Sequence, residues 1–394
     1  MFPDHWVRPF LARSLAELPE LELFDVHTHI GANDPDGFMC SPEDLLGALE
    51  RLPGRSAVFP MHEPDGYREA NDRVLSEAKA SGGRLVAFCR LDPRTEPLAE
   101  AERCLAAGAA GIKLHPRAER FELATAELRD VFALAGERNL PVLVHAGRGI
   151  PALGRHAVEL CEAFPGLRMI LAHAGICDLA WIWRAAERHP NLFFDTAWWS
   201  PADLLALFTH VPPGQILFGS DAPYGTPSFG ASGMLRFALQ AGLSPQQIQA
   251  VAGGQAARLV AGEEPLDRGP AVGPAALSVD PLLDRVYTFL ISAIGQMFNG
   301  VDPEETLALA ALACEVGDDA PQSQLCTLVL ELLEQRRQFA GEMGTAPAEP
   351  EESVPRAQRI APGVPFVIAA AGLTRTPDAP LPTPVSAPEF SVPS

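Results

Sequence analysis

One pattern repeats along residues 21–223: a short β-rich run is followed by a polar turn and then by a helical pattern. The eight candidate strands are residues 21–30, 56–61, 84–91, 111–115, 141–146, 168–174, 191–197 and 216–220. Strands that alternate with helices pair in parallel through right-handed crossovers. Eight such units in roughly 200 residues match a closed (β/α)8 barrel, which usually has about 250 residues. We therefore predict an α/β fold, a TIM barrel. An open doubly wound sheet is the alternative, but no GxGxxG motif follows the first strand.

The remaining residues have a different character. Residues 244–260 are predicted to form the helix that closes the barrel, so the barrel spans residues 1–262, and the Gly/Pro-rich residues 263–279 are read as a linker. Three amphipathic helices in residues 280–340 are expected to form a small helical module that packs on the barrel or on another subunit. Residues 341–394 contain 11 prolines among 54 residues, which predicts a disordered tail that contributes nothing to the barrel. Only Phe366-Val367-Ile368 in that tail is apolar enough to dock.

The charge balance excludes some partners. Lys and Arg number 30 against 50 Asp and Glu, a net charge of −20. Nucleic acids and anionic membranes are held by clustered basic residues, so neither is expected. Seven cysteines without a CxxC pair indicate a reduced, cytoplasmic protein. Residues 1–10 make no signal peptide, and the longest nearly apolar run, residues 286–298, is too short to span a bilayer.

The first candidate strand carries Asp25, His27 and His29, which alternation places on one face. Two imidazoles two residues apart at the carboxyl end of a strand can bind a single ion. A pair of polar surface histidines is the alternative interpretation. The positions of the other histidines favour the ion site, because barrel enzymes carry their catalytic groups at the carboxyl ends of strands.

Five of the ten histidines occupy such strand ends. Strand four places Lys113 on the same face as His115. The residues that converge on this mouth are His27, His29, Lys113, His115, His145, His173 and Asp221. Imidazoles that meet a carboxylate in this way are typical of a zinc or iron site.

Several members of this set have a structural alternative. Lys113 inside a barrel could be the ion-pair partner of an acid such as Asp195, and His115 could cap its strand before Pro116. The pair Trp198-Trp199 could be a substrate wall or buried packing. No site role is assigned to the histidines in other helical or loop contexts, which are His5, His62, His156, His189 and His210.

Five motifs in order resemble the amidohydrolase superfamily, and most of all its amidohydrolase-related branch of TIM-barrel metal-dependent hydrolases. They are Asp25-Val26-His27-Thr28-His29, Gly111-Ile112-Lys113-Leu114-His115-Pro116, Val144-His145-Ala146-Gly147, Leu171-Ala172-His173-Ala174-Gly175 and Gly219-Ser220-Asp221-Ala222-Pro223. The resemblance covers residues 21–262, with Gln255 where the family usually has Asn. It does not extend to the helical module or the tail.

The resemblance implies a ligand set. By this likeness His27, His29, His145 and Asp221 hold a divalent metal, zinc first, and its water. A bound cation lowers the pKa of water from about 15.7 towards 7. Asp221 can also accept the proton of that water. By the same likeness, Lys113 carboxylated by carbon dioxide bridges two ions in binuclear members, with His145 and His173 on the second ion. Otherwise His173 polarises the substrate carbonyl. We prefer two metals.

The predicted activity is hydrolysis of a C–N or C–O bond in a small amide, lactone or ester-like substrate. The alternative is a metal-dependent non-oxidative decarboxylase, similar to aminocarboxymuconate-semialdehyde decarboxylase. Arg90 and Arg148, together with His115, are candidate substrate-binding residues under either interpretation, since a guanidinium holds a carboxylate. An alternative of another class is a non-catalytic scaffold that binds partners through the helical module and the tail. The expected partners are a small-molecule substrate and, in a homo-oligomer, a second copy of the chain.

Overall fold

The computed structural model describes residues 2–18, 20–147, 150, 153–274, 277, 279–343 and 360–382. Eight parallel strands form one sheet in sequential order. They are β1 (Leu23–Ile30), β2 (Gly54–Pro60), β3 (Leu85–Arg90), β4 (Gly111–Leu114), β5 (Pro141–Val144), β6 (Arg168–Leu171), β7 (Leu192–Asp195) and β8 (Ile216–Leu217). All eight predicted strands are therefore present.

The sheet closes between its first and last strands. The amide of Val26 donates to the carbonyl of Phe218 at 2.9 Å, and the amide of Asp221 donates to the carbonyl of His27 at 2.8 Å. The predicted TIM barrel is confirmed. Some strands are shorter than predicted, and strand β6 shows the reason. His173 and Ala174 both have a φ of 57°, which a strand cannot continue, so the ladder ends before them.

Helices alternate with the strands and cover the outer face of the barrel. They are α1 (Arg8–Ala16), α2 (Pro42–Leu49), α3 (Arg68–Ala80), α4 (Pro97–Ala106), α5 (Arg129–Glu137), α6 (Leu153–Ala163), α7 (Leu179–Ala186), α8 (Pro201–His210), α9 (Pro227–Gln240), α10 (Pro245–Gln249) and α11 (Gln255–Val260). Short 3-10 turns occur at His5–Val7, Ala126–Leu128, His173–Gly175 and Pro213–Gln215, and a π turn at Ala250–Gly254 joins α10 to α11. The predicted closing helix is thus one interrupted run.

Capping residues set where these helices begin. Ser41 and Asp44 form the reciprocal capping box that the sequence predicts, and Ser244 and Gln247 form a second one. Inside the barrel, the inward side chains of the strands make a separate apolar plug that includes Phe24, Phe88 and Phe193. This plug lies beneath the strand ends and gives the side chains at the mouth a rigid base.

Three further helices follow the barrel, as predicted: α12 (Pro281–Phe298), α13 (Glu304–Ala313) and α14 (Ser323–Met343). They pack on the barrel, where the ring of Phe298 lies 5.0 Å from that of Trp199. No helix in the described ranges is both long and apolar enough to cross a bilayer. The domain boundaries at residues 262, 279 and 340 stay predictions.

The tail expectation is wrong for residues 360–382, which contain helix α15 (Val364–Arg375). Phe366, Val367 and Ile368 are 5%, 0% and 9% exposed, so the one segment expected to dock is buried. The prolines did not prevent this helix, because Pro365 lies in its first turn, where no amide donor is needed. Residues 344–359 and 383–394 of the predicted tail lie outside the described residues.

The segment around α15 is fastened to the barrel by polar and aromatic contacts. The buried guanidinium of Arg236 on α9 donates to the carbonyls of Thr376 and Pro380 at 2.9 and 2.8 Å. At the other end of the chain, the rings of Phe2 and Trp6 lie 5.8 and 4.5 Å from that of Phe366. The folded part of the tail is therefore a structural element of the barrel assembly.

Candidate metal centre

Three predicted ligands meet at the carboxyl ends of strands β1 and β8. His27 and His29 point inward from alternate positions of β1 and are 1% and 4% exposed. Asp221 follows β8, and its Oδ1 lies 3.1 Å from Nε2 of His27 and 3.1 Å from Nε2 of His29. The ligand atoms of these three residues lie within 4.8 Å of one another.

Asp195, at the end of β7, orients one of these imidazoles. Its Oδ2 lies 2.7 Å from Nδ1 of His27, while its Oδ1 accepts hydrogen bonds from the amides of His173 and Ala197 at 2.7 and 3.0 Å. The Nδ1 proton of His27 therefore faces a carboxylate, and the lone pair on Nε2 is left for a ligand. Metal-bound histidines almost always donate their second nitrogen in this way.

Asp25 joins β1 to the segment that carries Asp221, but a register shift in β1 between Asp25 and Thr28 interrupts the strict alternation that was predicted to place Asp25 on one face with the two histidines. Its Oδ1 accepts from the amides of His27 and Ser220, both at 3.0 Å. Burial raises the pKa of this carboxyl to about 7. The aspartate that precedes the two histidines is thus a positioning group for the mouth.

Lys113 on β4 is fully buried, and its Nζ lies 3.2 Å from Nε2 of His27. The ammonium also lies 4.6 Å from the ring centroid of Phe59. Burial is the largest cause of a pKa lowered to about 7 for this amine. The predicted inward direction of Lys113 agrees with the structure.

His145 and His173 form a hydrogen-bonded pair at the same mouth as His27, His29 and Asp221. The Nδ1–H of His173 donates to the carbonyl of Ala197 at 2.7 Å, so its Nε2 accepts from Nδ1 of His145 at 2.9 Å. That leaves the lone pair on Nε2 of His145, which has no hydrogen-bond partner among the described residues. The predicted ligands His145 and His173 therefore lie at the same mouth, but bonded to each other.

His115 contacts this pair through its ring. Its centroid lies 3.9 Å from that of His145 with an angle of 11° between the planes, and its Nδ1 accepts from the amide of Ala118 at 3.1 Å. Both interpretations of His115 therefore find support, since it caps the turn after β4 and also lies in the wall of the site.

The two predicted arginines differ in outcome. Arg90 is 2% exposed, and its Nη2 donates to Oε1 of Glu119 at 2.7 Å, so most of its charge is neutralised within the protein. Arg148 lies outside the described residues. Sequence reasoning missed Arg117, which is exposed, lines the same mouth and forms no ion pair within the described part of the chain. Its place directly after His115-Pro116 at a strand end was the available signal.

The electrostatics of the mouth favour neutral imidazoles. Burial is the largest cause of the lowered pKa of His27, His29, His115, His145 and His173. Burial also raises the pKa of the Asp221 carboxyl well above its usual value. Neutral imidazole is the form that binds a metal.

The donor set fits a divalent ion of the zinc or iron type. Two imidazole nitrogens and a carboxylate oxygen already converge, and one imidazole has its second nitrogen fixed by Asp195, whereas His145 is not among the three residues whose ligand atoms lie within 4.8 Å of one another. Imidazole and carboxylate ligands suit zinc, iron and manganese. The residue types of the described donor set therefore fit the ligand preferences of such an ion.

A continuous cavity of ≈ 2030 Å³ opens above these residues. Tyr224, whose ring lies 5.5 Å from that of His29, donates its hydroxyl to Asp34 at 2.5 Å. Both Trp198 and Trp199 line the cavity and are half-buried, and Trp199 also packs on Phe298, so the substrate wall stays a prediction beside the packing role.

The family model described as Amidohydrolase matches residues 24–261. None of the curated proteins matches the chain. Among solved structures, a TIM-barrel protein from Bordetella bronchiseptica is 17% identical, with 61% of this chain and 99% of that chain aligned at a TM-score of 0.49.

Two enzymes are similar at the same level. A 5-carboxyvanillate decarboxylase from Sphingomonas paucimobilis is 15% identical over 61% of this chain and 99% of its own, with a TM-score of 0.49. A dihydroxybenzoic acid decarboxylase from Polaromonas sp. JS666, solved with bound manganese and the inhibitor 2-nitroresorcinol, is 15% identical over 61% and 96%, with a TM-score of 0.49. Identities this low carry no information about the reaction.

Proposed function

Since the chain belongs to the amidohydrolase family, whose members are metal-dependent hydrolases and decarboxylases, we propose that it is a hydrolase of a small substrate. The bond cleaved is a C–N or C–O bond in an amide, a lactone or an ester-like compound. The observation that carries the proposal is the convergence of His27, His29 and Asp221 on one point at the mouth of the barrel.

His27, His29 and Asp221 would hold the ion, with His145 as the fourth ligand. We propose zinc as the first candidate, with one or two ions. When bound, such an ion supplies a water molecule whose pKa is lowered towards neutrality. Asp195 already orients His27 for this role. Its Oδ2 lies 2.7 Å from Nδ1 of His27, which places the proton of the neutral ring on Nδ1 and leaves Nε2 free to bind the ion.

Asp221 has the geometry of a general base. Oδ1 faces the two imidazoles, while Oδ2 lies 4.0 Å from Nδ1 of His173 and the side chain is 22% exposed to the cavity. One oxygen can therefore remain at the centre while the other takes a proton from an attacking water. His173, the second proposed catalytic residue, would polarise a substrate carbonyl only with Nε2 protonated, because Nδ1 already donates to the carbonyl of Ala197 and Nε2 of the neutral ring carries a lone pair.

The Asp221→Asn variant tests the base. We expect kcat to fall by on the order of 10²–10⁴-fold, because an amide cannot accept the proton. A panel of lactones, amides and aromatic acids supplies the substrate, with metal-loaded protein and mass spectrometry of the products. Asp34→Asn is the matched control, since Asp34 is a second carboxylate that lines the cavity. Full activity in Asp221→Asn would exclude Asp221 as the base.

A metal-dependent decarboxylase is the second candidate. Arg117, exposed at the mouth and without an ion pair in the described part of the chain, can hold a substrate carboxylate. The same panel separates the two reactions when it is run in ¹⁸O-labelled water. Hydrolysis places the label in the product, whereas decarboxylation releases carbon dioxide and places none.

Lys113 distinguishes one bound ion from two. Carboxylation by carbon dioxide needs a neutral amine, and burial lowers the pKa of Lys113 to about 7. With two ions, Lys113→Ala is expected to lose metal and activity together, and acetate or propionate should partly restore both by replacing the carbamate. The measurement is metal content per chain by mass spectrometry. Lys79→Ala is the control, because Lys79 is exposed and is the only other lysine. An unchanged metal content in Lys113→Ala would leave a one-metal centre.

We also propose a reducing, cytoplasmic setting. Its support is the state of the cysteines, because all seven are free and six of them are buried. A homo-oligomer stays a prediction, for which Leu309 and Leu312, exposed on α13, are candidate contact residues.

A further inference from the structure

The cavity above the centre is larger than a small substrate needs. Ligand sites usually occupy about 300–1,000 Å³, whereas this cavity has ≈ 2030 Å³. It is lined by His27, His29 and Asp221 at one side and by residues of α9 and α15 at another. Its second part is lined both by α9, within the residues 24–261 that the family model matches, and by α15, which begins beyond them at Val364.

We call this second part the gallery. It is lined by Phe229 and Gly233 of α9, Ile368 and Gly372 of α15, and Trp6 near the amino end. The positions on each helix are four residues apart, so each pair lies on one helix face. These residues line the same cavity as His27, His29 and Asp221, so the gallery is continuous with the metal centre.

Two glycines keep the gallery open. A Cβ added at Gly233 would meet no atom within 4 Å, and one added at Gly372 would meet only the Cζ of Phe237 at 4.0 Å. Glycine in a helix interior is unfavourable relative to alanine. Neither position needs glycine for close packing, so the missing side chains leave room for something else.

Among the described residues, the charged side chains along the gallery are paired within the protein. Asp4 accepts from Arg51 at 2.9 Å, and Arg236 donates to Thr376 and Pro380. Aromatic and aliphatic side chains supply the rest of the wall named above. The portion of a ligand that lies there is therefore uncharged and apolar.

We propose that the gallery binds the straight acyl chain of an elongated substrate whose polar, reacting end lies at Asp221 and His29. The position of the reacting end rests on the proposed function. Occupation of the gallery rests only on its volume, its wall and its continuity with the centre. Substrates without such a chain would leave the gallery empty.

Binding of saturated fatty acids from butyrate to laurate, measured by titration calorimetry, tests the proposal. Wild-type protein is used both metal-loaded and metal-stripped. Laurate is expected to bind at least ~100-fold more tightly than butyrate, because each buried methylene group favours binding about fourfold. This chain-length dependence should persist in the metal-stripped protein. The gallery proposal would therefore survive if the protein proves not to be a hydrolase. Conversely, hydrolysis of short substrates would remain possible if affinity does not depend on chain length.

Two variants fill the gallery from opposite walls. Gly233→Leu and Gly372→Leu are each expected to weaken laurate binding at least ~10-fold and to leave butyrate binding unchanged. Gly47→Leu on α2 is the matched control, a helical glycine with open space that does not line the cavity. Circular dichroism establishes whether each variant folds. If one variant does not fold, the chain-length series of the wild-type protein and the other variant still test the proposal. Equal affinity for all chain lengths, or wild-type laurate binding in both variants, would overturn the proposal.

Discussion

The double variant His27→Ala/His29→Ala is expected to lose its bound metal and its activity while it stays folded. Loss of a single outer partner already costs about 10–100-fold in metal affinity. Loss of two direct ligands should therefore cost at least on the order of 10²–10⁴-fold. The apolar plug of the barrel, which includes Phe24 and Phe193, is left intact beneath the mouth.

The same variant should melt at a somewhat lower temperature. Without His27, Oδ2 of Asp195 loses its 2.7 Å partner, and an unsatisfied buried group costs about 1–3 kcal/mol. Metal content by mass spectrometry and melting by circular dichroism measure the two effects. His5→Ala/His210→Ala is the control, because both histidines are exposed and neither lines the cavity. Retention of full metal content by the double variant would contradict the assignment of the centre to His27 and His29.

A chain that ends at Met343 is expected to be strongly destabilised and largely insoluble. It lacks α15, whose Phe366, Val367, Ile368 and Leu373 are all nearly or fully buried. Burial of a large apolar side chain contributes about 1.5–3 kcal/mol, so the four together contribute roughly 6–12 kcal/mol as an upper value. That is comparable to the whole stability of a typical domain, which is about 5–15 kcal/mol.

Soluble yield and the melting temperature measure this effect. The control chain ends at Pro382, which keeps α15 and the contacts of Arg236 with Thr376 and Pro380. It should melt like the full chain. If the chain that ends at Met343 melts at the same temperature as the control, α15 contributes nothing to stability, and the expectation of an independent tail is restored.

The barrel and most of the mouth could be predicted because both follow from local periodicity. Alternation along a strand places His27 and His29 on one face, and the closed sheet then brings Asp221 next to them. Lys113 follows by the same rule on β4. These positions depend on the chain path alone, not on which partner each side chain selects.

The pairings between side chains could not be predicted in the same way. The bond between His145 and His173 depends on the left-handed φ of 57° at His173, a turn that no residue type signals at that position. Likewise, the partner of Arg90 is Glu119, a residue 29 positions away on the loop after β4. Which of several acidic residues pairs with Arg90 depends on their distances in the folded protein, which the sequence does not show.

The predicted disorder of residues 360–382 is wrong because it depended on proline content and not on where the prolines lie. A high proline content predicts disorder only if the prolines interrupt a helix, and here Pro365 opens α15 while Pro362 and Pro377 flank it. Between them, the apolar residues at 364, 367, 368 and 371 have helical spacing. Periodicity over this short window was more informative than composition over 54 residues.

Contact between Phe2, Trp6 and Phe366 has a consequence for biosynthesis. Ribosomes add about 5–20 residues per second, so Phe366 emerges roughly 20–70 seconds after the first two aromatic rings. During that interval Phe2 and Trp6 lack a principal packing partner and present apolar surface to the surrounding solution. The amino-terminal segment can reach its final place only after translation has passed α15. A nascent chain stalled before that point is expected to be a chaperone client, even though all eight strands of its barrel have been made.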